Sequence, residues 1–370
     1  MKVKIITRHA IANYGSLLQA IALQNKIIDL GHEAEIIDFI KDNESYLKST
    51  LTAGMAREKF RRNPVLLFFY CIAHLPLSLL SDLIFEQYRK KYLNLTKRYT
   101  SSKQLINDKP IADVYMTGSD QVWGPVMDGK HEWSYFLDFC NDDDKKVAYA
   151  ASFGNTVMSK EDEQRVKELL IRYSHISVRE DSAVNTLNSF GISSEQVIDP
   201  TLLLTKNEWE QLLGINETPL NEKYILVYQI HKNKELEKYA KDFSKKTGQK
   251  LVRVSPLLHQ CMRGGKFIYA PSLGRFVSLI KNASYLITDS FHGTVFAINF
   301  NTPLVTMLPK TGTSSRNSSI LRLMKLEECI VENTSDFSIL DKEINFEYAN
   351  HRLDIERAKS QMLLKRIIEE

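Results

Sequence analysis

The stretch KVKIITRHAIANYGSLLQAIALQNKIIDLGHEAEIIDF, residues 2–39, decides the fold class. It begins with the apolar run KVKIIT, passes through a polar loop and enters a helical pattern over about 16–30, which stops at Gly31. The run AEIIDF then predicts a second strand. A strand, a helix and another strand in this order form a β-α-β unit, and such units build parallel sheets covered by helices.

The same alternation continues to the end of the chain. After a mostly helical insertion at about 42–98, ADVYMTG and KKVAYAA return as strands, and HISVRE leads into a helix over 181–189. A second series comprises YILVYQI, KLVRVS, YLITDS and PLVTML, with helices predicted over 234–246 and 273–283. We therefore predict an α/β protein with two Rossmann-like domains facing a cleft.

The length supports two domains, because 370 residues exceed the usual size of a single hydrophobic core. The polar, proline-containing stretch NETPLNEK indicates a connection between them. We predict an N-terminal domain over 1–205, a linker over 206–222 and a C-terminal domain over 223–345. A last helix within 346–370 can cross back onto the first domain.

Composition excludes several classes of protein. With 43% apolar and 25% charged residues, the chain resembles an ordinary globular protein, and a net charge of +4 with scattered basic residues argues against a nucleic-acid partner. Its four cysteines are far apart and form no C-x-x-C pair, which predicts free thiols in a reducing cytoplasm and no metal site. The N-terminus, MKVKIITRHA, lacks the long apolar region and cleavage site of a signal peptide.

The segment PVLLFFYCIAHLPLSLLSDLIF, residues 64–85, is long enough to span a bilayer, but His74, Pro76 and Asp82 oppose a spanning helix. One interpretation is a helical hairpin that breaks at Pro76 and packs on the N-terminal domain. The other is a peripheral contact with the inner face of the cytoplasmic membrane through 57–85, where the basic REKFRR would meet anionic headgroups.

Polar loops follow the predicted strands where parallel sheets bind ligands, beyond the carboxyl ends of the strands and next to helix N-termini. These loops are RHAIANYGS, GSDQVW, SFGN, RE and DSFHG, and they would converge on one cleft only if both domains contribute. The chain contains no G-x-G-x-x-G, P-loop or H-E-x-x-H motif, which argues against dinucleotide redox chemistry, P-loop phosphoryl transfer and zinc hydrolysis.

His292 is the main candidate for proton transfer. It is predicted one residue inside a helix, with Ser290 or Asp289 as the N-cap. A helix N-terminus disfavours protonated imidazole unless an anion restores it, so this group can exchange a proton near neutral pH. The alternative is a hydrogen-bonded structural histidine.

The other loops contain further candidates, each with a structural alternative. Arg179 either binds an anion through its planar guanidinium or forms a structural salt bridge. Lys310 and Arg316, in PKTGTSSRNSS, either hold a phosphate or lie in a solvated loop. Asp120 either acts as a base or caps the turn and holds Trp123, whose ring, taken as exposed, suits stacking on a sugar.

Six motifs in order resemble the polysaccharide pyruvyl transferase family, and the resemblance covers about residues 1–330. The family is similar to the two-domain fold called glycosyltransferase B. The motifs are ANYGSLLQAIALQ (12–24), TGSDQVWGP (117–125), YAASFGN (149–155), ISVREDSA (176–183), IDPTLLL (198–204) and ITDSFHGTVFAI (287–298).

The resemblance implies a transferase that moves a pyruvyl group from phosphoenolpyruvate to a sugar of a bacterial surface or exopolysaccharide precursor, some of which are lipid-linked. The products are a pyruvate ketal and phosphate, and no cofactor is implied. In this scheme His292 is the acid, and the donor-side residues are Arg179, Ser290, Gly293, Lys310 and Arg316. The acceptor-side residues are Asn13, Tyr14, Gly15, Asp120, Gln121 and Trp123.

The chain departs from the family pattern at one position. Members carry an arginine two residues before the motif histidine, where this sequence has Ser290, and Lys310 or Arg316 could replace the missing cation. Two other functions remain open from the residues alone: a glycosyltransferase of the same fold that uses a nucleotide sugar, and a non-catalytic component of polysaccharide assembly. The sequence leaves the acceptor sugar, the ketal stereochemistry and the oligomeric state open.

Overall fold

The computed structural model divides into two compact units, which are described separately. Unit 1 comprises Met1–Pro200 and Gln361–Glu370, and unit 2 comprises Thr201–Ser360. The structure describes residues 1–44, 46–126, 129–154, 157–215, 220, 222–309 and 314–370.

Unit 1 is built on a parallel sheet. Within the described residues its seven strands are β1 (Lys2–Ile6), β2 (Glu33–Phe39), β3 (Leu95–Tyr99), β4 (Val114–Thr117), β5 (Lys146–Ala151), β6 (His175–Val178) and β7 (Glu195–Gln196). They pair in the order β3-β2-β1-β4-β5-β6-β7. The order reverses between β1 and β4, whose register pairs Val3 with Val114 and Ile6 with Thr117. Ligands of open α/β sheets bind at such a reversal, beyond the carboxyl ends of the strands.

The helices of unit 1 cover this sheet. The first helix is capped by Asn13, whose Oδ1 accepts from the backbone N–H of Gly15 at 2.9 Å, and it buries an almost continuous series of residues between Tyr14 and Ile27. The helices are α1 (Tyr14–Asp29), α2 (Tyr46–Met55), α3 (Glu58–Arg61), α4 (Pro64–Tyr92), α5 (Ser102–Asn107), α6 (Lys160–Leu170) and α7 (Asp181–Ser189), with 3₁₀ turns at Asp42–Glu44 and Trp133–Phe136.

Unit 2 contains a second parallel sheet. Within the described residues its five strands are β8 (Tyr224–Tyr228), β9 (Lys250–Ser255), β10 (Lys266–Tyr269), β11 (Tyr285–Thr288) and β12 (Leu304–Thr306), in the order β10-β9-β8-β11-β12. The reversal lies between β8 and β11. The helices are α8 (Pro200–Leu203, at the boundary of the units), α9 (Lys206–Leu213), α10 (Lys234–Thr247), α11 (Leu273–Lys281), α12 (Phe291–Phe300), α13 (Ser314–Met324) and α14 (Phe346–Glu369), with 3₁₀ turns at Leu258–Arg263, Glu327–Cys329 and Ser338–Asp341. The last part of α14, from Gln361, belongs to unit 1.

Helix α12, which carries the candidate histidine, is buried on every side. Its approach to the sheet depends on Gly293, because a Cβ at this position would lie 2.6 Å from Thr288 Oγ1 and 3.1 Å from Tyr228 Cδ1. A side chain there would force the helix away from β11. Glycine therefore holds the start of α12 against the carboxyl ends of β8 and β11.

The predicted linker over 206–222 needs correction, because its first part is helix α9. Thr205 and Glu208 form a capping box at its start, and Trp209 is fully buried with its ring 5.3 Å from that of Phe296. These contacts place the segment in the core of unit 2, and the units divide after Pro200. Residues 216–219 and 221 lie outside the described residues.

The predicted hairpin over 64–85 is also wrong, because α4 runs without a break from Pro64 to Tyr92 and includes Pro76. A proline removes one helical hydrogen bond at a cost of about 3 kcal/mol, and the other hydrogen bonds and contacts of this long helix offset that cost. The hydroxyls of Thr50 in α2 and Ser78 in α4 lie 2.6 Å apart, so α2 packs along α4. The insertion ends in a strand, β3, which adds an edge to the sheet.

One face of α4 is apolar and exposed. The exposed fractions are 65% for Val65, 62% for Phe68 and Phe69, 56% for Ile72 and 55% for Leu83, and these positions share one side of a helix. Among the described residues, α4 is the one helix long and apolar enough to cross a membrane, and only 6% of its most apolar window is buried.

Candidate active site

Polar side chains of unit 1 converge where the strand order reverses between β1 and β4. Thr7, after β1, donates through Oγ1 to the carbonyl of Ser119 at 2.7 Å, and Gln19 Nε2 donates to Thr7 Oγ1 at 2.9 Å. Ser16 Oγ donates to Asp120 Oδ2 at 2.5 Å, so the first turn of α1 is joined to the loop after β4. Asp120 has a φ of +78°, a left-handed conformation that aspartate tolerates better than most residues.

Arg179 lies at the centre of a cluster of carboxylates in unit 1. Its Nη1 is 3.0 Å from Asp199 Oδ2, its Nε is 3.4 Å from Glu180 Oε2, and its Nη2 is 3.8 Å from Asp120 Oδ1. The Arg179 side chain is fully buried. Burial alone would lower its pKa, but Asp199, Glu180 and Asp120 outweigh this effect and raise the pKa. These contacts are those of a structural salt bridge, the alternative left open by the sequence.

The acceptor-side residues have different surroundings. Asn13 and Gly15 form the cap of α1, beside Asp120, and the backbone N–H of Gln121 donates to Asp120 Oδ1 at 2.8 Å. These four predicted residues therefore do come together at the carboxyl edge of the sheet. Tyr14 contributes no exposed ring, because its side chain is fully buried 5.1 Å from Phe85.

The prediction that Trp123 is an exposed stacking platform is wrong. Trp123 is fully buried in the core of unit 1, with its ring stacked 5.8 Å from Phe136 and tilted 5.2 Å from Phe153. The loop GSDQVW folds inward because burial of the apolar Val122 and Trp123 side chains stabilises the fold by more free energy than ordering the short loop costs. A ring in this position holds the loop of Asp120 in place.

In unit 2, the candidate histidine lies at the reversal of the second sheet. His292 is the second residue of α12 and is 5% exposed. Ser290 is the N-cap, as one of the two predicted alternatives, and its Oγ accepts from the backbone N–H of Gly293 at 3.2 Å. Asp289 instead accepts from the backbone N–H groups of Ile230 at 2.8 Å and His231 at 3.2 Å. The loops after β8 and β11 are thereby held together.

Arg316 and this histidine both contact the ring of Phe291. Its guanidinium carbon is 5.9 Å from the centre of the Phe291 ring, and the Phe291 and His292 rings meet edge to face at 5.2 Å. Arg316 is 6% exposed and belongs to α13, so it is part of the packed unit and not of a solvated loop. Lys310 lies outside the described residues.

Two groups of polar residues at the sites were not predicted from the sequence. Ser119 and Asp199 belong to the Arg179 cluster, where Ser119 Oγ donates to Asp199 Oδ2 at 3.0 Å. In unit 2, Arg253 donates from Nη1 to Gln229 Oε1 at 3.1 Å. The sequence signal that could have identified Arg253 is a charged residue within the apolar strand KLVRVS. Among the described residues, no group of three or more histidine, cysteine or acidic side chains is arranged to hold a metal.

The two parallel sheets and their strand-order reversals define a class of protein, an α/β chain with two Rossmann-like domains. The sequence matches the family described as "Polysaccharide pyruvyl transferase" over residues 13–310. The chain therefore belongs to the polysaccharide pyruvyl transferase family, and the family supports a transferase with a sugar or polysaccharide acceptor.

Solved structures with a similar fold have low sequence identity. S. aureus MnaA, in a co-structure with UDP, is 13% identical with a TM-score of 0.52, and the match covers 98% of this chain and 90% of that chain. The UDP-GlcNAc 2-epimerase from Methanocaldococcus jannaschii is 13% identical with a TM-score of 0.50, and 93% of each chain is covered. These likenesses concern the fold alone. A comparison with curated proteins found no match.

Proposed function

We propose that this chain transfers a pyruvyl group from phosphoenolpyruvate to a sugar of a bacterial surface or exopolysaccharide precursor, forming a pyruvate ketal and releasing phosphate. Family membership supports this reaction. The observation that supports His292 as the acid is its position, at a helix N-terminus beyond the carboxyl end of β11. The reaction needs no cofactor, because the donor supplies both the carbon unit and the leaving group.

In the proposed reaction, His292 gives its proton to the methylene carbon of the donor, which becomes a methyl group. The adjacent carbon becomes electron-poor and is attacked by one sugar hydroxyl. The second hydroxyl then displaces phosphate. Of the two hydroxyl protons, one returns to the imidazole through a base and solvent, and the other leaves with the phosphate as hydrogen phosphate. Imidazole suits such a proton transfer because it gains and loses a proton near neutral pH.

The test is the release of phosphate by His292→Ala and His292→Gln variants. We expect both to remain folded and to lose activity by at least about a hundredfold, the usual contribution of a positioned acid. Mass spectrometry of the product should show a pyruvate ketal for the unchanged chain. Turnover at the normal rate by folded His292→Ala protein would remove this residue from the acid role.

A second candidate is a glycosyltransferase that uses a nucleotide sugar. The likeness to MnaA, solved with UDP, favours it because the fold covers nearly the whole of both chains. Thermal-shift measurements separate the candidates, since a ligand that binds the folded state raises its melting temperature. Stabilisation by UDP or a UDP-sugar, without any by phosphoenolpyruvate, would favour the second candidate.

We further propose that the enzyme works at the inner face of the cytoplasmic membrane. The exposed apolar face of α4 supports this, together with the exposed basic residues at Arg57, Lys59, Arg61 and Arg62. An apolar helix face beside basic residues suits an anionic lipid surface. Lipid-linked sugars would be presented at the same surface.

Co-sedimentation with vesicles tests the membrane contact. The double variant Phe68→Ser/Phe69→Ser should bind vesicles of anionic lipid more weakly than the unchanged chain, and neutral vesicles should bind both poorly. Ile111→Ser is the matched control, because Ile111 is 84% exposed outside α4 and should not affect binding. Equal binding by all three proteins would reject the contact.

A further inference from the structure

A buried arginine of unit 2 has hydrogen-bond donors without partners. Arg253 is fully buried on β9, where it pairs in register with Val227 of β8. Its Nη1 donates to Gln229 Oε1, but within the part of the chain that the structure describes Nε and Nη2 have no hydrogen-bond partner. A cation buried in this way is costly unless its remaining donors are satisfied, so such an arginine requires an explanation.

The neighbours of Arg253 are held firmly in place. Gln229 donates from Nε2 to the carbonyls of His231 at 2.9 Å and Asn233 at 3.0 Å, so its Oε1 is turned towards Arg253. Gln260 donates to the carbonyl of Gln229 at 2.8 Å, and its own Oε1 has no partner among the described residues. The site is therefore built from side chains with defined orientations, beside the reversal of the sheet.

In the described part of the chain Arg253 forms no ion pair. Two carboxylates act on its pKa from a distance: Glu237 is paired with Arg263 at 3.2 Å, and Asp289 accepts from the backbone N–H groups of Ile230 and His231. Burial is the main cause, and Arg263 the next, of a lowered Arg253 pKa of about 10. The guanidinium is still charged at neutral pH, and it differs in this respect from Arg179, which is surrounded by carboxylates.

Arg253 is joined to the candidate histidine through the loop after β8. Gln229 is the residue after that strand, and the next two residues, Ile230 and His231, donate their N–H groups to Asp289. Asp289 directly precedes the N-cap of α12, which carries His292. Arg253 thus contacts the first residue of the loop after β8, and that loop shares the Asp289 carboxylate with the start of the helix that carries the proposed acid.

We propose that Arg253 forms an anion-binding subsite for the phosphate or carboxylate of the donor. The subsite supplies a cation that Ser290 cannot, because the Ser290 hydroxyl is uncharged and caps α12. A guanidinium with Nε and Nη2 available can hold two oxygens of one anion in parallel hydrogen bonds. The choice of phosphoenolpyruvate as the anion rests on the proposed function, whereas the subsite itself rests on Arg253.

The test compares Arg253→Met with the unchanged chain, using inorganic phosphate and phosphoenolpyruvate separately as probes in calorimetric titration and thermal-shift measurements. Methionine fills the space without a charge. We expect the variant to melt at or above the normal temperature without ligand, and to lose roughly tenfold to a hundredfold in affinity for the anion, the effect of losing a charge-assisted pair of hydrogen bonds. Arg253→Lys keeps the charge but loses the paired guanidinium donors, so its affinity for the anion should lie between those of the methionine variant and the unchanged chain. It replaces Arg253→Met in the same test if the methionine variant does not fold.

Arg357→Met is the matched control. Arg357 donates from Nε to the carbonyl of Leu202 at 2.8 Å and from Nη1 to Asp354 at 2.6 Å, so its loss should lower the melting temperature and leave anion affinity unchanged. The subsite is overturned if the Arg253 variants bind both probes normally, or if the unchanged chain binds neither probe. Arg253-dependent binding of phosphate, without turnover of phosphoenolpyruvate, would support the subsite and reject the proposed donor.

Discussion

Replacement of Arg179 by methionine separates the two roles that the sequence left open for this residue. In the structure its guanidinium contacts Asp199 at 3.0 Å, Glu180 at 3.4 Å and Asp120 at 3.8 Å. If the arginine is structural, its removal leaves three acidic side chains close together in a buried site. If it mainly binds the donor, the ligand-free protein should tolerate the change.

The expected loss is large, because breaking a buried ion pair by removing one partner costs about 3–5 kcal/mol. This is a large share of the stability of an average domain. Asp199→Asn should cost less, about 1–3 kcal/mol, since the new amide would keep an oxygen for Ser119 Oγ and Arg179 would keep two carboxylates. The double variant should be more stable than the sum of the single losses predicts, because the two residues contact each other.

Urea unfolding followed by tryptophan fluorescence measures this effect within unit 1. Trp123 and Trp133 belong to unit 1 and Trp209 to unit 2, so a Trp209→Phe background restricts the signal to unit 1. We expect the unfolding midpoint of Arg179→Met to fall strongly. An unchanged midpoint, combined with lost binding of phosphoenolpyruvate, would refute the structural role and return Arg179 to the donor site.

Three further predictions concern pH, packing and capping. Burial raises the pKa of Asp82 from 3.8 to about 6 despite the nearby Arg89, so the folded state loses stability as pH rises through this interval. Asp82→Asn should therefore stabilise the chain by about 1–2 kcal/mol at pH 7.5, after allowance for partial exposure, and should not change its stability at pH 3. Urea unfolding at the two pH values measures the difference. Gly293→Ala should cost about 1–3 kcal/mol, because its Cβ would lie 2.6 Å from Thr288 Oγ1, and an unchanged urea midpoint would contradict this packing. Ser290→Ala should cost about 1 kcal/mol through loss of the cap on α12, whereas Ser290→Asp should preserve stability in the same assay.

Much of the fold follows from local patterns. Central strands such as β8 are buried on both faces, and a strand of this kind appears in the sequence as a continuous apolar run such as YILVYQI. Missed strands β3, β7 and β10 are all at sheet edges, where one side is unpaired and burial is incomplete. These three edge strands therefore lack the apolar run by which the others, including β12 at the remaining edge, were predicted.

The sequence by itself determined the β-α-β alternation and the place of His292 at a helix N-terminus capped by Ser290 or Asp289, because each depends on residues a few positions apart. Tertiary structure alone decided that Arg179 meets Asp199, that Trp123 is buried and that Arg253 keeps donors without partners in the described chain. These outcomes depend on which loops a sheet brings together. Strand order is set by packing over the whole unit, and no local stretch of sequence contains it.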